Sequence, residues 1–181
     1  MDEELGASSV REQLIVAGIK ELEAHGIADF SMRRVSAACN ISCAAPYKHF
    51  KNREEFINAI FDYIKSHLSL LLDQVAAVYA GDAKAQLIES CMAYIRFCIA
   101  NPHFQAVLML ADGNLPLAER VRRLVPLCLP DMPPREQEDR GYVVRSVAYG
   151  AALMLESGEI EYKDSIMQRI RENLARELEN K

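Results

Sequence analysis

The chain has 181 residues, half of them hydrophobic and 26% charged, the balance of a folded protein and not of a disordered one. A chain this long buries roughly 70% of its unfolded surface and needs neither a disulfide nor a metal to fold, and eight Gly with seven Pro are too few for a turn-dense β-rich or fibrous chain. No apolar run reaches the ~18 residues of a membrane span, and the acidic start Met1-Asp2-Glu3-Glu4 lacks the basic and apolar regions of a secretory signal. A cytoplasmic protein with no membrane partner is therefore expected.

Helical periodicity runs along the whole chain, and no stretch keeps strict alternation. Val10, Leu14, Ala17 and Leu22, with Ile15 and Ile19, form one apolar stripe over a first helix at about 9–25, ended by Gly26. Phe30 follows as a core residue. Ser31 is an N-cap for a short second helix, 32–39, with Val35 and Ala38 inward. Asn40 stands where a tight turn needs a residue tolerant of left-handed geometry. Ser42 is read as the cap of a third helix, 43–50, with Pro46 early enough to cost little hydrogen bonding. Asn52 and Glu55 make a capping-box-like start for a long fourth helix to about Tyr79. Gly81-Asp82 marks a break, and further helices are expected at 83–100, 103–111, 116–127, 135–157 and 163–180. Asn101-Pro102, Asp112-Gly113-Asn114, the Pro-rich 129–134 loop and Gly158 separate them. The fold class is all-α with about nine helices, an N-terminal helix-turn-helix domain (1–52) and a C-terminal helical domain (53–181).

The net charge of −5 disguises an uneven distribution. Residues 31–53 carry Arg33, Arg34, Lys48, Lys51 and Arg53 and no acidic group, whereas the segments on either side each have a net charge of −5. A local cationic patch is what phosphate binding needs, because counterion release drives association. It coincides with two short helices joined by a tight turn, a helix-turn-helix arrangement whose second helix is placed to enter the major groove. The small side chains of Ser42, Cys43, Ala44 and Ala45 let the chain approach base edges. Tyr47, Lys48, His49, Lys51 and Arg53 suit phosphate contacts, which fix register without reading sequence. Ser31 and Arg33 belong to the same candidate surface.

Residues 9–64 resemble the DNA-binding domain of the tetracycline-repressor (TetR) family of bacterial transcription regulators. The resemblance rests on Gly26, Ser31, Val35-Ser36-Ala37-Ala38 and above all the run from Ile41 through Tyr47-Lys48-His49-Phe50 to Arg53-Glu54-Glu55-Phe56. The sequence departs from the family at Asn40, where Gly is usual, and at Tyr149 before Gly150, where His-Gly is usual. The resemblance implies a homodimer that binds a palindromic double-stranded DNA operator, and a second domain that binds a small effector and supplies the dimer interface.

For that second domain, Leu68, Leu72, Tyr94, Phe97, Cys98, Phe104, Leu108 and Tyr149 are expected to line an apolar pocket for a neutral or weakly cationic aromatic effector. Val143, Val147, Gly150, Ala151, Met154, Ile166, Ile170 and Leu174 are expected to form a four-helix dimer interface. Gly150 and Ala151 would permit close helix approach. The fourth helix is expected to link the DNA contacts to the effector.

Other chemistry finds little support. No phosphate-binding Gly loop, nucleophile elbow or H-E-x-x-H is present. The four His are scattered without metal-ligand spacing, so no metal, cofactor or enzymatic activity is expected. The five Cys are odd in number and form no C-x-x-C pair, and so read as small buried hydrophobes. Cys43, near an expected helix N-terminus in the cationic window, is the exception: a lowered thiol pKa would make it a redox sensor. The leading reading is a ligand-released repressor. Its alternative is a TetR-like regulator controlled by a protein partner or by cysteine redox.

Overall fold

A computed structural model describes residues 9–110 and 115–179. Among them are eight α-helices and no strand: α1 (Val10–His25), α2 (Met32–Ala38), α3 (Arg53–Val78), α4 (Ala83–Ala100), α5 (Pro102–Leu110), α6 (Pro116–Cys128), α7 (Pro134–Glu156) and α8 (Asp164–Glu177). The expected all-α class and nearly all its helices are present, while the expected Asp112-Gly113-Asn114 break lies outside the described residues. The third expected helix differs. Only a three-residue 3-10 turn, Pro46–Lys48, forms there. Pro46 has no N–H to donate to Ser42. The segment closes instead on i to i+3 bonds, from Ala45 N to Ser42 O (2.9 Å), Lys48 N to Ala45 O (3.1 Å) and His49 N to Pro46 O (3.0 Å).

The chain divides into two compact units. One runs to Ile64 and takes in α5 from Ala106; the other comprises Lys65–Gln105 and the helices from α6 onward. The division falls inside α3 and not at its start, where the sequence places the domain boundary.

In the first unit α1 packs on α2. Ser9 Oγ accepts from Glu12 N, and Gly26, at φ 69°, ends α1 by donating to Leu22 O. Gly18 is a residue the hydrophobic stripe does not single out. A Cβ there would lie 2.6 Å from Ile60 Cδ1 and 3.3 Å from Phe56 Cζ, so α1 and α3 approach closely because this position has no side chain. Phe30 meets Phe56 edge-on, with ring centroids 5.6 Å apart. Two inward assignments are corrected. Val10, in the first turn of α1, is 45% exposed, and Ala38 is exposed because α2 buries Met32, Val35 and Ser36 instead.

In the second unit α4 is the central element and packs against α6, α7 and α8. Asp82 Oδ1 caps it, accepting from Ala85 N at 2.9 Å, after a left-handed Gly81 (φ 89°). Its buried residues, Leu87, Ser90, Cys91, Met92, Ala93, Tyr94, Ile95 and Cys98, surround most of the helix, as expected of a helix enclosed by neighbours. Arg140 of α7 pairs with Glu177 of α8 at 2.7 Å, and Arg171 of α8 pairs with Glu89 of α4. Gly158 (φ 73°) turns the chain between α7 and α8. No helix among the described residues is long and apolar enough to cross a membrane.

Candidate nucleic-acid interface

The turn between α2 and the 3-10 turn is built on Asn40, whose φ of 55° is the left-handed conformation its side chain tolerates. Ile41 N then donates to Ser36 O at 3.1 Å and returns the chain across the end of α2. Pro46 and Phe50 point into the core, and Phe50 stacks on Phe56 with centroids 4.2 Å apart. These two anchors turn the intervening residues outward. Ser42, Cys43, Ala44, Lys48 and His49 are exposed, Tyr47 is 57% exposed, and Ala45 is half-buried.

The five cations of the window are not equivalent. Arg34 donates through Nε to Glu21 Oε1 at 2.8 Å, and its Nη2 pairs with the same oxygen. Glu21, 8% exposed, also accepts from Ser31 N at 3.0 Å. Ser31 Oγ in turn caps α2 by accepting from Arg34 N. The Glu21 hydrogen bond pushes the Arg34 pKa up, so this guanidinium stays charged and stays paired. Arg53 is committed as well. Its guanidinium donates to the carbonyls of Phe30 (3.1 Å), Ala28 (3.0 Å) and Ile27 and lies over the Phe30 ring. Arg33, Lys48 and Lys51 remain exposed, with no ion pair among the described residues. Lys51 N donates to Glu55 Oε2 while Glu55 N donates to Asn52 Oδ1, a reciprocal cap that fixes the start of α3 beside the cationic turn.

Sequence reasoning missed Glu21. The available signal was a carboxylate on the buried stripe of α1, one turn beyond Gly18 and next to Leu22, which has to find a cation. Cys43 is a free, exposed thiol. With no α-helix beginning at Ser42, the helix-dipole argument for its activation has no helix to act through.

The remaining expected residues fall outside the helix-turn-helix segment in the sequence. Of the expected pocket set, Leu68, Leu72, Tyr94, Cys98 and Leu108 are buried, and Phe97, Phe104 and Tyr149 are half-buried. Leu108 falls in the first unit and the others in the second. The rings of Tyr94 and Tyr149 lie 5.1 Å apart, and those of Phe97 and Phe104 lie 5.6 Å apart. A groove of 340 Å³ lies elsewhere, between α6 and α7, with Val121, Arg122, Val125, Gln137, Tyr142 and Arg145 on its walls; none of the expected pocket residues borders it. Of the expected interface set, Val143 is 43% exposed, and Val147, Gly150, Met154 and Ile166 are half-buried. Ala151, Ile170 and Leu174 are buried within their own unit. The described residues contain no group of three or more His, Cys, Asp or Glu placed to hold a metal ion.

A small N-terminal helix-turn-helix unit joined to a larger helical unit defines a two-part helix-turn-helix protein. Residues 14–60 match the family model of bacterial regulatory proteins of the tetR family. The probable acrEF/envCD operon repressor of Escherichia coli K12 is 26% identical over 102 residues, which cover 56% of this chain and 46% of that protein. The chain thus matches about half the length of this curated relative. A TetR-like transcriptional regulator from Rhodococcus sp. RHA1 shares the fold with a TM-score of 0.76 at 17% identity, over 96% of both chains. A TetR variant from Acinetobacter baumannii AYE, solved in complex with minocycline, gives a TM-score of 0.60 at 14% identity, over 94% of this chain and 95% of that one.

Proposed function

We propose that the protein is a homodimeric DNA-binding transcription regulator, acting as a repressor that a small molecule releases from its operator. The observation that carries this is the turn held between the buried Pro46 and Phe50. It presents small side chains beside exposed cations in a segment, 31–53, that carries five basic residues and no acidic one. Ser42, Cys43, Ala44 and Ala45 face the bases, where small groups fit against thymine methyls and Ser42 can bond a base edge. Ser31, Arg33, Tyr47, Lys48, His49 and Lys51 contact phosphates. Arg53 contributes by holding the loop before α2 in place. The Escherichia coli relative is a probable operon repressor, which supports the sign of regulation.

Dimerisation uses α7, where Val143, Val147, Gly150 and Met154 recur at helical spacing on a partly exposed face. No atom stands within 4 Å of a Cβ built on Gly150, which leaves room for a partner helix. A two-fold dimer reads two half-sites about 34–36 Å apart, one turn of DNA. The effector acts on the second unit, and α3, which contributes residues to both units, carries its effect to the DNA-binding module. The minocycline-bound neighbour supports a small-molecule role for this fold. Repeated selection from a random duplex pool tests the reading. The expected result is enrichment of a palindromic sequence, and failure to enrich any sequence would refute it.

A further inference from the structure

The second unit buries polar atoms that its own residues leave unpaired. Ser90 Oγ, Tyr94 Oη, Gln105 Oε1 and Tyr149 Oη are all inaccessible, and none meets an oxygen or nitrogen partner among the described residues; Tyr94 Oη shares only a weak hydrogen bond with the Cys98 thiol. Ser90 and Tyr94 are fully buried and stand one turn apart on α4, and Gln105 on α5 is 4% exposed. Tyr149 on α7 lies ring against ring with Tyr94, and its backbone oxygen accepts from Gln105 Nε2 at 3.3 Å. The four atoms therefore belong to one neighbourhood. The group acting most directly on Tyr94 Oη is the Cys98 thiol, a weak donor and weak acceptor that does not replace an oxygen or nitrogen partner. An unpaired buried polar group is costly and rare in folded proteins, so four together in a core are a strong departure from ordinary packing.

The chemistry of the cluster is uncharged. Burial pushes the Tyr149 hydroxyl up to about 12 and the Tyr94 hydroxyl higher still, so both are neutral donors and acceptors near neutral pH. The nearby charges are Arg145, which acts on Tyr149, and Glu156, which acts on Tyr94 and Cys98. They are opposite in sign and offer no net site for an ion. The surrounding Cys91, Cys98 and aromatic rings suit a flat apolar body. We infer that Ser90, Tyr94, Gln105 and Tyr149 form the polar end of the effector site and select an uncharged aromatic molecule with both a hydrogen-bond donor and an acceptor. The donor meets Gln105 Oε1, and the acceptor receives the hydroxyl protons. The inference rests on the reading of the second unit as the effector domain and names what that domain recognises.

The test uses the full chain and ligand-observed NMR with para-hydroxybenzamide as probe. Toluene, benzoate and benzylamine are the apolar, anionic and cationic controls. The expected result is binding of para-hydroxybenzamide alone, weakened about tenfold or more in Tyr94→Phe with Tyr149→Phe. The same variants are expected to melt at or above the wild-type temperature, because each removes an unpaired hydroxyl. Two outcomes would overturn the inference: equal binding of the four compounds or of none, or a fall of about 2–4 °C for each lost hydroxyl, as when a satisfied tyrosine is truncated. Binding of wild-type protein to duplex DNA is measured in parallel. Retained DNA binding without probe binding refutes the ligand class and leaves the regulator standing. Probe binding without DNA binding refutes the regulator and leaves the site standing.

Discussion

Phe50 and Phe56 stack face to face, with ring centroids 4.2 Å apart and planes 10° apart. Phe50 closes the turn that carries the candidate base contacts, and Phe56 lies in the first turn of α3. The pair sets the height of an irregular segment that has too few hydrogen bonds to hold its own shape. Phe50→Ala is expected to destabilise the first unit by about 3–5 kcal/mol and to abolish DNA binding. Urea unfolding followed by circular dichroism, alongside a binding assay, checks both.

Arg53 and Lys48 separate structure from recognition. The three carbonyl bonds of Arg53 predict that Arg53→Ala loses about 1–3 kcal/mol of stability. Lys48→Ala is expected to leave the melting temperature within about 1 °C, because exposed side chains without partners contribute little. Differential scanning calorimetry of the two variants distinguishes them. Equal, small effects would show that the Arg53 contacts do not support the fold.

Gly18 predicts a packing conflict that can be relieved. Gly18→Ala gains up to about 1 kcal/mol of helix propensity but places a methyl 2.6 Å from Ile60 Cδ1 in a closed core. The expected net result is destabilisation of about 1–3 kcal/mol. Ile60→Val removes that carbon, so the double variant should recover much of the loss. A double-mutant cycle measured by urea unfolding reads the coupling directly.

The thiols give a pH prediction. Burial pushes Cys91 and Cys98 up to about 12, so at pH 8 both native thiols keep their protons. Both should resist a thiol reagent that labels the exposed Cys43 quickly. An unfolded thiol ionises near 8.5. Below that pH both states hold the proton and the stabilising contribution is complete. Between about 8.5 and 12 the unfolded chain releases protons that the native chain keeps, so stability falls as pH rises. Urea midpoints that stay level from pH 8 to 11 would contradict the burial of these groups.

The α7 face predicts the assembly. Val147→Glu puts a charge into the proposed helix-helix contact and should yield a folded monomer by sedimentation velocity, with DNA affinity reduced because two half-sites are no longer engaged together. A wild-type protein that is monomeric at micromolar concentration would remove the basis for a two-fold reader.

Helix positions and turns were legible because each rests on a local rule. Ser31 caps α2 as expected, and Gly26, Asn40, Gly81 and Gly158, each placed at a break or turn, take positive φ there; the caps by Ser9 and Asp82 follow the same side-chain rule but emerge only from the structure. The recognition segment was legible as a place where small side chains are presented, but it was read as an α-helix over 43–50 and is a 3-10 turn. The loss of one N–H at Pro46 decides between two helical forms of nearly equal local energy. Partner choice was the least legible. Arg34 and Arg53 look like Arg33 in a charge count, yet long-range folding brings Glu21 to the first and three carbonyls to the second. The unpaired cluster was visible only as apolar and aromatic residues, because an orphaned hydroxyl is a property of three-dimensional packing.

The most direct measurement is the salt dependence of binding to a fluorescent duplex, followed by anisotropy, for the wild type and for Lys48→Ala with Lys51→Ala. The account predicts that the log of the wild-type binding constant falls linearly with the log of salt. The double variant should lower the steepness by about two units, at roughly 0.9 per lost phosphate contact. No binding by the wild type at about 50 mM salt, or an unchanged slope in the double variant, would contradict a DNA interface built on the Ser42–Lys51 turn.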